Sequence, residues 1–197
     1  MDNGLKIGIY GGSFNPIHNG HIALARQFLL SLSLDEVWFI VSPQNPLKRN
    51  NELLSDSMRF RLTEKALCNE PGMKASDVEF LLPKPSYTWN TLEKLSHDNP
   101  DATFTLLIGG DNWKVFNRWY RSDDILNNYA VAIYPRPGST IDPSSLPGNV
   151  TLIDAQFLDI SSTDIRRRVA RGMSIEGMVP DSVLDDIRNI DFRNISI

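Results

Sequence analysis

Cysteine is nearly missing from this chain: Cys68 is the only one in 197 residues. A lone thiol closes no intramolecular disulfide and has no companions for a structural zinc site. Cys68 therefore reads as a buried or half-buried apolar filler. Long apolar runs are missing too. A run such as Val37-Trp38-Phe39-Ile40-Val41 falls far short of the ~20 residues a membrane-spanning helix needs. The opening Met1-Asp2-Asn3-Gly4 has no signal-peptide pattern. The expectation is a cytoplasmic protein with no membrane partner. An excess of positive charge is also lacking. The formal net charge is -4, a poor match for a nucleic-acid backbone, so no nucleic-acid partner is expected. Small phosphorylated ligands stay open, because they need only local positive potential. Apolar residues make up 41% and charged residues 22%, which excludes disordered and fibrous classes.

What is present alternates between strand and helix. Lys6–Tyr10 reads as a short buried strand running into a glycine turn. Asn19–Ser33 reads as a helix, with Ile22, Ala25, Phe28, Leu29 and Leu32 at spacings of three and four. Glu36–Val41 is a second strand, and Pro43–Asn51 is a loop with two prolines and three asparagines. A helix over Asp56–Leu67 carries Met58, Leu62 and Ala66 on one stripe. Val78–Leu82 is expected to be a strand. Thr88 is expected to cap a short helix over Trp89–Ser96. Strands follow at Thr103–Ile108, Ala130–Tyr134 and Thr151–Ile153. Helical segments are expected at Asp111–Phe116, Asp123–Asn128, Thr163–Arg171 and Asp181–Asn189. This order implies an α/β fold: a doubly wound, mostly parallel, Rossmann-like sheet with helices on both faces. Ligands of such sheets sit beyond the carboxyl ends of the strands. No repeat or linker divides the chain, so one domain over residues 1–197 is expected, its last part helical.

The loop after the first strand reads Gly11-Gly12-Ser13-Phe14-Asn15-Pro16-Ile17-His18-Asn19-Gly20-His21. Glycines directly after a strand let backbone N–H groups approach a phosphate. The next helix starts near Asn19, with its positive end facing the same space. His18 and His21, two of the three histidines in the chain, lie on one side of its first turn. The pattern is neither a dinucleotide fingerprint nor a P-loop. A tight turn with incidental surface histidines is the bland alternative. A metal site is the other, and it lacks a third nearby ligand, so no protein-held metal is expected.

Near the other end stands Ile160-Ser161-Ser162-Thr163-Asp164-Ile165-Arg166. Ser161-x-x-Asp164 fits a capping box. It leaves Arg166 unexplained, because a cation on a first helical turn opposes the helix dipole unless an anion sits there. Together the two boxes resemble the signatures of the nucleotidyltransferase superfamily with a His-x-Gly-His box. In particular the chain resembles the bacterial nicotinate-mononucleotide adenylyltransferase family, from Ile7 to about Pro180. The resemblance implies that Gly11, Gly12, Ser13, Phe14, His18 and His21 meet ATP, with Gly109, Asp111, Ser161, Ser162, Thr163 and Arg166. Residues 160–197 would be a C-terminal helical part contributing to that ATP site.

Three middle segments bear on the acceptor. Pro85-Ser86-Tyr87-Thr88-Trp89-Asn90-Thr91-Leu92 offers a hydroxyl and first-turn amides suited to a small anion. Ile108-Gly109-Gly110-Asp111-Asn112 puts a carboxylate after a strand, able to accept from ribose hydroxyls. Trp119-Tyr120 offers a ring for stacking, against the alternative of a core tryptophan. These segments resemble boxes of the same family, as does Tyr134-Pro135-Arg136-Pro137-Gly138. The resemblance puts a nicotinate carboxylate on Thr88 and the amides of Trp89 and Tyr120, with Trp119 stacked on the ring. Asp111 and Arg136 would complete the mononucleotide site. The family's second loop commonly reads Pro-x-x-x-Pro-Pro-His-Lys. Here Pro43-Gln44-Asn45-Pro46-Leu47-Lys48 is shorter and has no histidine, which leaves Asn45 and Lys48 for the mononucleotide phosphate.

The expected reaction is in-line attack of a mononucleotide phosphate oxygen on the α-phosphorus of ATP, releasing pyrophosphate. The expected partners are ATP and nicotinate mononucleotide, with Mg²⁺ travelling on ATP. A homo-oligomer stays open. His18 would stabilise the α-phosphate, with His21 and Arg166 on the leaving pyrophosphate. Competing readings are a nicotinamide or phosphopantetheine acceptor, cytidylylation of a sugar or polyol phosphate, and a regulator that binds nucleotides without catalysis.

Overall fold

The computed structural model describes residues 4–43, 53–136, 140–156 and 158–192. Among them, six strands form one sheet: β1 (Lys6–Gly12), β2 (Glu36–Val41), β3 (Met73–Ser76), β4 (Thr103–Gly109), β5 (Ala130–Tyr134) and β6 (Val150–Leu152). Their order is β3-β2-β1-β4-β5-β6, and every neighbouring pair is parallel. The order reverses between β1 and β4, so a crevice opens beyond their carboxyl ends.

Alternation along the strands divides the core in two. Tyr10, Phe39, Leu107, Ala132 and Tyr134 point to one face. Ile9, Ile40, Leu106, Ile108 and Ile133 point to the other. The first face is covered by α1 (Asn19–Ser31), α2 (Asp56–Leu67), α6 (Ser162–Ala170) and α7 (Asp181–Arg188). The second is covered by α3 (Thr88–Asp98) and α5 (Ser122–Asn128), with the single turn α4 (Gly110–Trp113) at the end of β4. The α1 stripe works as its spacing predicts: Ile22, Ala25 and Phe28 are buried. Burying each large apolar side chain contributes ~1.5–3 kcal/mol. The doubly wound α/β architecture is the one read from the sequence.

Three local expectations are corrected. Val78–Leu82 is not a strand; Val78–Leu81 forms a 3-10 turn. The chain curls there because Glu79 turns inward to the hydroxyls of Ser86 and Thr91, while Leu81 goes out to solvent. The edge strand is instead β3, whose Met-Lys-Ala-Ser carries no β-branched residue to announce it. Thr88 is not a cap. Tyr87 has the extended backbone of the N-cap and its carbonyl accepts from the Thr91 N–H at 3.2 Å, so Thr88 is the first helical residue. Cys68 is exposed rather than filler. It stands at the C-terminal end of α2, past Ala66 and Leu67, which take the inward positions. No helix among the described residues is long and apolar enough to cross a membrane.

Candidate active site

The two histidines sit where α1 begins. His18 is the N-cap and is buried. Its backbone N–H donates to Nδ1 of His21 at 3.2 Å. The rings stack with centroids 3.6 Å apart, and the His21 ring also meets Phe14 edge-on at 5.1 Å. Burial, and then the nearby Arg136 cation, lower the pKa of His18 to about 4. Burial, then His18, then Arg136 hold His21 well below the ordinary histidine range. Both imidazoles are therefore neutral near pH 7. Because Nδ1 of His21 accepts a hydrogen bond, its proton is on Nε2, which is left as a donor. Gly20 lies beneath the His18 ring. A Cβ there would come within 3.0 Å of Nδ1, so the glycine between the histidines lets the ring take this seat.

The two distant boxes meet. Nη1 of Arg166 donates to the Asn15 carbonyl at 2.8 Å, and Oγ of Ser162 donates to the Pro16 carbonyl at 2.9 Å. Asn19 donates from its backbone to Met178 at 2.9 Å and from its side chain to Gly177 at 2.8 Å. Ser161 caps α6 by accepting from the Asp164 N–H at 3.1 Å, as its spacing predicts. Nη2 of Arg166 reaches Thr163 Oγ1 at 3.4 Å. The Arg166 side chain is buried rather than held out to solvent. It anchors the first loop, a role its position in the sequence does not reveal.

Beside this lies a cavity of about 320 Å³ between the ends of β1 and β4. Gly11, Gly12 and Ser13 line it on the side of the first loop. Thr88, Trp119 and Tyr120 line it on the other. The Thr88 hydroxyl makes no hydrogen bond to another described residue, so it faces the cavity unpaired. Trp119 rests against Phe116 at 5.2 Å and also lines the cavity, so it is both packed and presented. Tyr87 and Tyr120 pack ring to ring at 4.8 Å. The Trp89 indole is buried in the second core with Arg121 over it at 4.2 Å, which leaves only its amide for a ligand. Phe14 is buried beneath the loop. Gly109 ends β4, and Asp111 beyond it pairs with Arg136 at 3.5 Å. Nη2 of Arg136 also donates to the Tyr134 hydroxyl at 3.0 Å, and Tyr134 hydrogen-bonds Tyr10. Asn45 and Lys48 lie outside the described residues. Three His, Cys, Asp or Glu side chains do not converge as a metal site anywhere among the described residues.

Two buried polar side chains, Glu79 and Arg59, escape sequence reading. Glu79 accepts from Ser86 Oγ at 3.0 Å and from Thr91 Oγ1 at 2.8 Å, and all three line the cavity. Arg59 has no exposed surface. It donates to the carbonyls of Leu54 (3.1 Å), Ser13 (2.6 Å) and Ser42 (3.0 Å) and to Asp56 (2.6 Å). Burying an ion costs several kcal/mol, offset here by filled donor positions. The only sequence signal for Glu79 is its place in an apolar stretch, and for Arg59 its place beside the apolar stripe of α2.

The Cytidylyltransferase-like family model matches residues 9–168. A relative from Bacteroides thetaiotaomicron, described as "Probable nicotinate-nucleotide adenylyltransferase", is 46% identical over 194 residues, 98% of this chain and 96% of its own. A relative from Cytophaga hutchinsonii with the same description is 44% identical over 179 residues, 91% of this chain and 93% of its own. Among solved structures, the Plasmodium falciparum nicotinic acid mononucleotide adenylyltransferase complexed with NaAD superposes with a TM-score of 0.74 at 22% identity. That match covers 93% of this chain and 94% of the other, and at this identity it speaks to the fold.

Proposed function

Because this chain belongs to the nicotinate-nucleotide adenylyltransferase family and is a nucleotidyltransferase, we propose that it transfers AMP from ATP to nicotinate mononucleotide, giving the deamido dinucleotide and pyrophosphate. The observation that carries this reading is the shared wall of the site. Gly11, Gly12 and Ser13 belong to the loop that Arg166 and Ser162 anchor, and they also line the cavity that holds Thr88, Trp119 and Tyr120. A triphosphate on the loop and an acceptor in the cavity would meet at that wall.

The acceptor phosphate is already anionic, so the reaction needs no strong general base. Two imidazoles that are neutral near pH 7 suit hydrogen-bond donation instead. Their N–H groups donate to phosphoryl oxygens as charge moves onto the leaving pyrophosphate. Positive charge comes from Arg136, within electrostatic reach of both histidines, and from Arg166. Holding donor and acceptor in line supplies the rest. Imidazole, guanidinium, hydroxyl and amide groups would meet phosphate directly, and Mg²⁺ would arrive with ATP as part of the substrate. At the acceptor end, Thr88 and the first-turn amides of α3 would take the nicotinate carboxylate while Trp119 faces the ring. Asp111, beside Arg136 at the end of β4, would accept from a ribose hydroxyl.

The purified protein, mixed with ATP, Mg²⁺ and either mononucleotide, should release pyrophosphate with nicotinate mononucleotide and much less with the nicotinamide form. Release with neither, or only with phosphopantetheine or with CTP, would overturn the assignment.

A further inference from the structure

A loop that receives a phosphate has to present N–H groups and turn its carbonyl oxygens away, because carbonyls repel an anion. In the first loop, three carbonyls within four residues are each held by a side chain from a distant segment. Arg59 holds Ser13, Arg166 holds Asn15 and Ser162 holds Pro16. Arg59 does more than the other two. The same Nη1 also holds the Ser42 carbonyl, at 3.0 Å. Ser42 directly follows the second strand and lines the cavity together with Ser13. The Arg59 Nε holds the Leu54 carbonyl, and the Leu54 N–H in turn donates to Asn15 Oδ1 at 3.0 Å. One guanidinium thus joins the loop after β1, the loop after β2 and the start of α2, with no surface of its own.

We propose that Arg59 is a positioning residue for the reaction. In a trans peptide the C=O and the N–H point to opposite sides. Pulling the Ser13 carbonyl inward therefore turns the Phe14 N–H toward the triphosphate. Phe14 has φ of 42°, a left-handed backbone that a phenylalanine keeps only when its neighbours hold it there. Holding Ser42 at the same nitrogen fixes the spacing between the ATP loop and the wall of the acceptor cavity. The inference rests on the reading that Gly11 to His21 receives the triphosphate.

The test uses the full chain with Arg59→Lys and Asp56→Asn. Lysine keeps the charge but replaces the planar fork with a single ammonium, which cannot hold four acceptors in these directions. Asn removes the charge of the partly exposed partner and leaves Arg59 in place. MgATP affinity is measured by calorimetry, at a temperature where circular dichroism shows each variant folded. The expected result for Arg59→Lys is MgATP binding weakened about tenfold, with the mononucleotide KM raised as well. For Asp56→Asn it is about threefold in the same direction. A purely structural role would lower Tm and leave binding to the folded protein unchanged. Binding by folded Arg59→Lys within twofold of wild type overturns the inference. If that variant does not fold, Asp56→Asn decides it on the same twofold criterion. Wild-type protein that binds MgATP but makes no dinucleotide refutes the proposed function and leaves this test intact. Wild-type protein that does not bind MgATP removes the reading beneath both.

Discussion

At the end proposed for the triphosphate, the contacts that shape the site run between residues far apart in the chain: Arg166 to Asn15, Ser162 to Pro16, Arg59 to Ser13 and Ser42. At the end proposed for the acceptor, Glu79 to Ser86 and Thr91, Tyr87 to Tyr120, and Phe116 to Trp119 all stay within residues 79–120. The first region depends on the whole fold being assembled. The second is shaped by one stretch of chain laid against the sheet. A charged, shared substrate calls for fixed backbone donors, whereas a flat ring calls for a fitted apolar wall. Changes at the phosphate end should therefore strike turnover and ATP together, and changes at the acceptor end should strike one KM.

The largest effect is expected at His18. His18→Ala should lose about 10²–10³ in kcat, the loss typical of removing one donor to a developing charge, with circular dichroism unchanged. A kcat near wild type would place the chemistry elsewhere and end the contrast. Thr88→Val keeps the shape and removes the hydroxyl. The KM for nicotinate mononucleotide should rise about tenfold, because a hydrogen bond to a charged group is lost, while the KM for ATP stays within twofold. Equal rises in both would mean that the two ends are not separable. Glu79→Ala leaves the Ser86 hydroxyl without its acceptor and Thr91 with only the Tyr87 carbonyl, at 3.3 Å. Stability should fall by about 1–3 kcal/mol in urea unfolding, with a smaller, several-fold rise in mononucleotide KM. An unchanged KM would make Glu79 purely structural.

The effect on catalysis is smallest where the readout is the pH dependence of stability. His18 is neutral when folded down to a pKa of about 4, whereas an unfolded histidine takes its proton near 6.5. Below the unfolded value the unfolded chain therefore binds more protons. The contribution is fully present above pH 6.5 and is lost as pH falls toward 4, roughly 3 kcal/mol in all. Replacing His18 with Gln should flatten the fall in Tm across that window. An unaltered slope would mean that the ring is not buried neutral.

Much of the phosphate end is legible in the sequence, because an N–H-rich turn and a helix start are written in consecutive residues. Gly11 to His21 and Ser161 to Arg166 each state their own local geometry. What they do not state is that Arg166 and Ser162 reach back to Asn15 and Pro16, since that depends on where two helices pack. Arg59 is illegible for the same reason: an arginine one position from an apolar stripe reads as a solvated charge until its acceptors in the loops after β1 and β2 are seen. The edge strand β3 escapes sequence reading because a strand with one neighbour needs little β-propensity. The turn at Val78 to Leu81 looks like a strand because its apolar residues hide the pull of Glu79 toward two hydroxyls.

The most direct measurement is one MgATP titration, without mononucleotide, followed by NMR at the backbone amides of both terminal boxes. Perturbation of residues 11–21 and of residues 161–166 along a single saturation curve, with one shared Kd, is the predicted outcome. Movement confined to one box, or two boxes saturating at different concentrations, would contradict it.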